Sequence, residues 1–241
     1  MIIGGTSGIG LALARHYAEQ GAELALCSRD ITRIDDHELR TDPHVQTFQF
    51  DIADRAALIR ALHDFGKGGL DMLIVTAGQY ADANDLASES GLGLQVVQTN
   101  IVGLVQAFET AAELMQRQGH GHLVAVASVA GLLEEYPGGS LYSASKRAAI
   151  GICDAYRKAL RPYGIAVTTI LPGYVDTAGL RKLNHGNARA KPFLRSEPDA
   201  VRRIVHAIEQ RAERCIFPWQ LHMMVRLFNS LPSSLQRLRR K

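Results

Sequence analysis

Tyr142-Ser143-Ala144-Ser145-Lys146 sets a phenol and an ammonium four positions apart, a spacing that places both on one face if the segment is helical. An ammonium beside a phenol stabilises the phenolate and lowers a tyrosine pKa that is normally about 10. A tyrosine tuned in this way can give or take a proton near neutral pH. A second hydroxyl, Ser128, stands at the end of an apolar run upstream and could hold a substrate oxygen. The chemistry implied is proton transfer at an oxygen.

A different chemistry is suggested near the start. Gly4-Gly5-Thr6-Ser7-Gly8-Ile9-Gly10 lies between a short apolar run and a helical pattern. Glycines let backbone approach a ligand closely, and a helix start offers unpaired N–H groups to a pyrophosphate. The spacing is G-x3-G-x-G and not GxGxxG, so the loop's position directly after the first strand carries the assignment. After the second strand the chain reads Cys27-Ser28-Arg29-Asp30. At this place in a dinucleotide fold an acid suits the ribose hydroxyl of NAD, and an arginine suits the 2′-phosphate of NADP. Arg29 with Ser28 favours NADP(H), with NAD(H) as the alternative and Asp30 as a group that could partly neutralise Arg29.

These residues need a frame. Apolar, strand-like runs fall at residues 1–3, 23–27, 45–50, 70–75, 123–127 and 165–171, and helical patterns at 9–20, 53–65, 89–117 and 142–161. Arg161-Pro162-Tyr163-Gly164 stops the last of these helices. Such alternation specifies an α/β, Rossmann-type doubly wound parallel sheet with helices on both faces. No repeat or linker interrupts it, so residues 1–241 are read as one domain. Only three residues precede Gly4, against the five or so usual in a central strand. The first strand is therefore expected to be weak at its beginning, either truncated or preceded by further residues.

The chain is similar to the short-chain dehydrogenase/reductase family. The resemblance rests on the glycine loop, Asp51 after the third strand, Asn100 in the long helix, Ser128-Val129-Ala130-Gly131, the Tyr142–Lys146 motif and Pro172-Gly173-Tyr174-Val175-Asp176-Thr177, in family order across residues 1 to 177. It implies about seven strands in the order 3-2-1-4-5-6-7 and a catalytic tetrad of Asn100, Ser128, Tyr142 and Lys146. Tyr142 would transfer the proton, Ser128 would orient the substrate oxygen, Lys146 would hold the nicotinamide ribose, and Asn100 would hold a water linking Lys146 to solvent. Asp51 and Ile52 would contact adenine, Ala77 and Gly78 the adenosine side, and Thr177 the phosphate near nicotinamide. Gly4, Thr6, Ser7, Gly8, Ile9, Gly10, Pro172, Gly173 and Val175 complete the implied cofactor contacts. Two departures stand out. Val75-Thr76-Ala77-Gly78 replaces the family's Asn-Asn-Ala-Gly, which puts local rigidity in question. The interval from Ser128 to Tyr142 is one residue longer, through Glu134-Glu135, which should reshape the substrate-side loop.

The function expected is an NADP(H)-dependent oxidoreductase moving a hydride between nicotinamide and a carbonyl or secondary alcohol, with an apolar substrate. The alternatives are a 3-oxoacyl-carrier reductase and a non-catalytic NADP(H)-sensing regulator; the complete tetrad argues against the regulator. Residues 178–196 are expected to form a substrate lid. They carry Arg181, Lys182, Arg189, Lys191 and Arg195 and no acid, which suits an anionic substrate or simply a solvated loop. Residues 217–241 read as an amphipathic helical extension broken at Pro232. It packs on the pocket or on another subunit in the preferred reading, and touches an anionic membrane in the other.

Composition narrows the classes. At 46% hydrophobic and 21% charged residues the chain is a globular protein, not a disordered one. No apolar run nears the roughly 18 residues that span a bilayer, and no secretory signal is evident, so a cytoplasmic protein is expected. The net charge of +3 includes +4 in the last five residues, leaving the body at −1, which excludes a broad nucleic-acid-binding surface. Cys27, Cys153 and Cys215 are far apart and read as free thiols, and no histidine cluster has metal-ligand spacing. A homodimer or homotetramer is implied by the resemblance alone.

Overall fold

The computed structural model describes residues 1–133 and 140–231. Seven parallel strands, β1 (Ile2–Ile3), β2 (Leu24–Ser28), β3 (Val45–Gln49), β4 (Met72–Val75), β5 (Gly121–Val126), β6 (Ile165–Pro172) and β7 (Arg214–Phe217), form one sheet in the order β3-β2-β1-β4-β5-β6-β7. The order reverses between β1 and β4, and ligands bind such sheets at the carboxyl ends of the strands flanking that point. The helices are α1 (Gly8–Glu19), α2 (His37–Thr41), α3 (Arg55–Phe65), α4 (Ala83–Ser88), α5 (Leu92–Val97), α6 (Gly103–Gln118), α7 (Leu141–Leu160), α8 (Ala178–Leu183), α9 (Glu197–Glu209) and α10 (Trp219–Ser230).

The inner strands are largely apolar on both faces because both faces are covered, whereas the edge strands β3 and β7 are partly exposed. In β2, Leu24 and Leu26 pack with Leu13 and Ala14 of α1 and with Ile204 of α9. Their neighbours Ala25 and Cys27 enter the opposite core with Leu58 of α3, Phe108 of α6 and Cys153 of α7. Ile2 and Ile3 divide in the same way. Phe108 is fully enclosed, and truncating such a side chain to alanine costs about 3–5 kcal/mol.

Most boundaries lie within two residues of those expected. β1 is short, as its sequence implies, but it is secured on both sides. Ile2 and Ile3 pair with β2 and β4, and Thr76 Oγ1 donates to the Ile3 carbonyl at 3.1 Å. That hydroxyl pins β4 to β1 and answers the question raised by the missing asparagines. α5 and α6 are joined through one π-helical turn, Gln98–Val102, so residues 92–118 form a continuous helix. α9 and β7 were not delineated from the sequence. Phe217 ends β7, and the helical extension starts at Trp219. Glu134-Glu135 and the segment from Pro232 onward, with its expected break, lie outside the described residues. Among the described residues no helix is long and apolar enough to cross a membrane, no group of side chains could hold a metal, and the three cysteines are free.

Candidate active site

The glycine loop lies against the end of β4. Gly4 has φ +90°, and a Cβ there would stand 2.5 Å from Thr76 Oγ1 and 2.6 Å from the Ala77 nitrogen. A Cβ on Gly10 would collide with the Gly4 carbonyl oxygen. Ser7 caps α1 by position but makes no side-chain capping bond, which leaves the first N–H groups of the helix open. Loop and helix start border a cleft of about 420 Å³, lined by Gly4, Ser7, Gly8, Ile9 and Gly10. Thr6, only 1% exposed, is buried beneath the loop and does not reach that lining. A loop without room for side chains beside an open helix N-terminus fits a dinucleotide's phosphates.

Farther along this cleft stand Ser28, Arg29, Asp51 and Ile52, and on the β4 side Ala77 and Gly78. Asp30 is turned away from Arg29. Its carboxylate accepts from the Thr32 backbone at 3.0 Å and from the Thr32 hydroxyl, capping a short turn. The carboxylate beside Arg29 is that of Asp51, at 3.9 Å. Arg33 lines the same cleft; a second arginine four positions after Arg29 was the signal available for it. Ile52 is buried against Gly103, where a Cβ would stand 2.6 Å from Ile52 Cγ2. This end of the cleft is thereby fixed to the long helix.

The catalytic candidates converge beyond β5. The strand ends at Val126, so Ser128 lies two residues past it, where its Oγ accepts from Ala130 N at 3.1 Å. Gly131 lets this turn lie on the backbone of α7, since a Cβ would stand 2.7 Å from the Lys146 carbonyl carbon. Ser128 stands beside the phenol of Tyr142 and favours its ionised form; Tyr142 is the second residue of α7, whose start is capped by Ser140. Lys146 is 6% exposed; its Nζ donates to the Val126 carbonyl at 2.9 Å and stands 5.8 Å from the Tyr142 ring centroid. Asn100, in the π turn, accepts from Gln79 N at 2.7 Å and donates to Gln79 O and Ser145 Oγ, both at 2.9 Å. Both amide hydrogens of Asn100 are therefore committed, and a water could be taken only by its Oδ1 or main-chain oxygen.

Electrostatics here differ from the sequence expectation. Burial raises the Tyr142 pKa above its ordinary 10; the Ser128 hydroxyl works against this, and the nearby hydroxyls of Tyr80 and Tyr174 add to it. Burial also lowers Lys146 to about 8. The ammonium expected to pull the phenol down is itself disfavoured by the same dry surroundings. Tyr80 was not singled out from sequence; its ring lies 5.0 Å from that of Tyr142.

A second cleft, of about 810 Å³, contains Ser128, Tyr142 and Lys146. It shares Ile9, Thr76, Gly78 and Val126 with the first cleft, so the two adjoin. Pro172, Gly173 and Val175 line it. Thr177 caps α8, accepting from Leu180 N at 3.1 Å, and lies below Gly8. The segment 178–196, expected as a lid, is closed at its base where Val175 bridges Arg195. Two of its five basic side chains are paired with acids flanking the segment, Arg181 with Asp176 at 3.0 Å and Arg195 with Asp199 at 3.8 Å. Lys191 turns into the cleft, 5.4 Å from the Tyr174 ring centroid. From α10, Leu221 and Val225 form part of the same lining.

Fold and site together define a Rossmann-type α/β protein with Ser128, Tyr142 and Lys146 gathered at the carboxyl edge of its sheet. A profile of the short chain dehydrogenase family matches residues 1–188, and the chain belongs to that family of oxidoreductases. It is 28% identical to an uncharacterised oxidoreductase of Mycobacterium tuberculosis, over 98% of this chain and 95% of the relative. It is 30% identical to an uncharacterised oxidoreductase of Myxococcus xanthus, over 98% and 93%. Among solved structures, a short chain dehydrogenase from Burkholderia cenocepacia in complex with NADP superposes with a TM-score of 0.82 at 21% identity, covering 99% of this chain and 95% of that one.

Proposed function

We propose that the protein is an NADP(H)-dependent oxidoreductase acting on a carbonyl or secondary alcohol. The observation that carries this is that Ser128, Tyr142 and Lys146 line one cleft, which adjoins the glycine-loop cleft. When bound, the nicotinamide supplies or accepts the hydride. Ser128 orients the substrate oxygen, and Tyr142 gives that oxygen its proton in reduction or takes it in oxidation. A phenol held protonated by burial suits the acid role. Lys146 and Asn100 hold the ribose side and the proton path. Arg29, Arg33 and Ser28 form a cationic, hydroxyl-bearing end for a 2′-phosphate, and the Burkholderia structure bound to NADP supports that preference.

Leu221, Val225 and Leu180 on the cleft lining favour an apolar substrate. Lys191 supports a second reading, in which the substrate also carries an anion or arrives on an acidic carrier. A panel of neutral ketones, keto acids and acyl-carrier thioesters, followed by NADPH absorbance, separates the two. Tight NADPH binding with no turnover of any carbonyl would favour the regulator instead.

A further inference from the structure

α10 has two apolar sides. Leu221 and Val225 face inward to the cleft, and Asn229 Nδ2 anchors the helix to the Leu132 carbonyl at 2.8 Å. The other side is open. Trp219 is 67% exposed, Met223 52%, Met224 51% and Leu227 67%. Positions 219, 223 and 227 recur every four residues and form one stripe. Scattered exposed apolar residues need no explanation, but a contiguous row of four large ones does.

Charge is segregated toward the same region. Residues 215–241 hold five basic side chains and no acid; residues 178–195 hold five more, of which Arg181 and Arg195 are paired with the flanking Asp176 and Asp199. With 27 basic and 24 acidic residues in the whole chain, the remainder carries 17 and 24, a net −7. Both segments contribute to the lining of the substrate cleft, through Leu221 and Val225 from one and Leu180 and Lys191 from the other. Exposed apolar residues occur on the lid as well, Leu183 at 55% and Phe193 at 41%.

We infer that this face docks on an anionic lipid bilayer, with the outer stripe of α10 in the interfacial layer. A helix apolar on one side beside a cationic cluster is the composition of an interfacial anchor. An anionic surface complements residues 215–241, which hold five basic side chains and no acid. Docking places the substrate cleft beside the lipid phase.

The chain's single tryptophan, Trp219, lies on the stripe and reports directly. The full-length protein is titrated with vesicles of phosphatidylcholine alone and of phosphatidylcholine mixed with phosphatidylserine. The expected result is co-sedimentation with the mixed vesicles, a blue shift of Trp219 emission, and quenching by bromine-labelled acyl chains. Replacing Arg237, Arg239, Arg240 and Lys241 with glutamine should weaken partition at least about 100-fold, at roughly fivefold per charge. The double variant Met223→Asp, Leu227→Asp, checked for folding by circular dichroism, should also detach. No partition into the mixed vesicles, or partition that the glutamine variant leaves unchanged, would overturn the inference. A Trp219 shift that follows protein concentration without lipid, together with dimer formation in sedimentation, would overturn it in favour of a second copy on this face.

Discussion

Lys146 Nζ stands 5.8 Å from the centre of the Tyr142 ring and spends a hydrogen bond on the Val126 carbonyl at 2.9 Å. In the protein alone the pair are near neighbours in a shared dry site, and burial acts oppositely on them: the phenol is raised and the ammonium is lowered to about 8. Each group is pushed toward its neutral form. A phosphate-bearing ligand in the adjoining cleft would bring negative charge toward Lys146 and favour its ammonium, so ligand binding and the readiness of Tyr142 should be coupled.

The lysine gives a stability signature. Its folded pKa of about 8 lies below the ordinary 10.5, so between these values the unfolded chain binds more protons and stability rises with pH. The full penalty is present below pH 8 and amounts to something on the order of 3 kcal/mol. Tyr142 acts with the opposite sign only above pH 10, where the unfolded phenol ionises first. Denaturant unfolding of the ligand-free protein from pH 8 to 9, below the range where the raised thiols of Cys27 and Cys153 act with the opposite sign, should show this rise, and Lys146→Met should flatten it. An equal slope in both proteins would assign the effect to other groups.

Two glycines should respond oppositely to the same change. Gly10→Ala drives a Cβ into the Gly4 carbonyl oxygen, whereas nothing lies within 4 Å of a Cβ at Gly151 in the middle of α7. Overpacking costs about 1–3 kcal/mol, and alanine in an open helix interior gains about 0.5–1 kcal/mol over glycine. Thermal unfolding should fall for Gly10→Ala and rise for Gly151→Ala. NADPH affinity should drop in the first alone.

Cofactor choice is assigned to the end of β2. Arg29→Ala and Arg33→Ala should each weaken NADPH about 10- to 100-fold, the range of a hydrogen bond to a charged group, and leave NADH nearly unchanged. Fluorescence titration with both cofactors checks this. Equal losses for the two would remove the phosphate role.

The sequence was legible where a pattern is local. Tyr142 and Lys146 needed only the four-residue spacing of a helix, and Gly4 and Gly10 only their place after a strand. What escaped depends on residues far apart in the chain. The raised pKa of Tyr142 comes from burial and from Tyr80 and Tyr174, which arrive on separate loops. The five basic residues of the lid suggested an open cationic loop, but Asp176 and Asp199, flanking the segment, neutralise two of them. Arg33 was missed because a short turn, not a strand end, carries it into the cleft. β7 is four residues long, begins with arginine and is only partly buried, so it lacks the apolar signature of the other strands. The spacing of α10 predicted a helix, but not that Met224 would face outward while Leu221 and Val225 face in.

The proton-transfer role of Tyr142 is tested most directly by Tyr142→Phe. The variant keeps the ring beside Tyr80 and removes only the hydroxyl. NADPH binding should stay within about threefold of wild type, while single-turnover reduction of a carbonyl accepted by the wild type should fall by about 100-fold or more, the scale of general acid catalysis. Undiminished turnover with NADPH still bound would contradict the account.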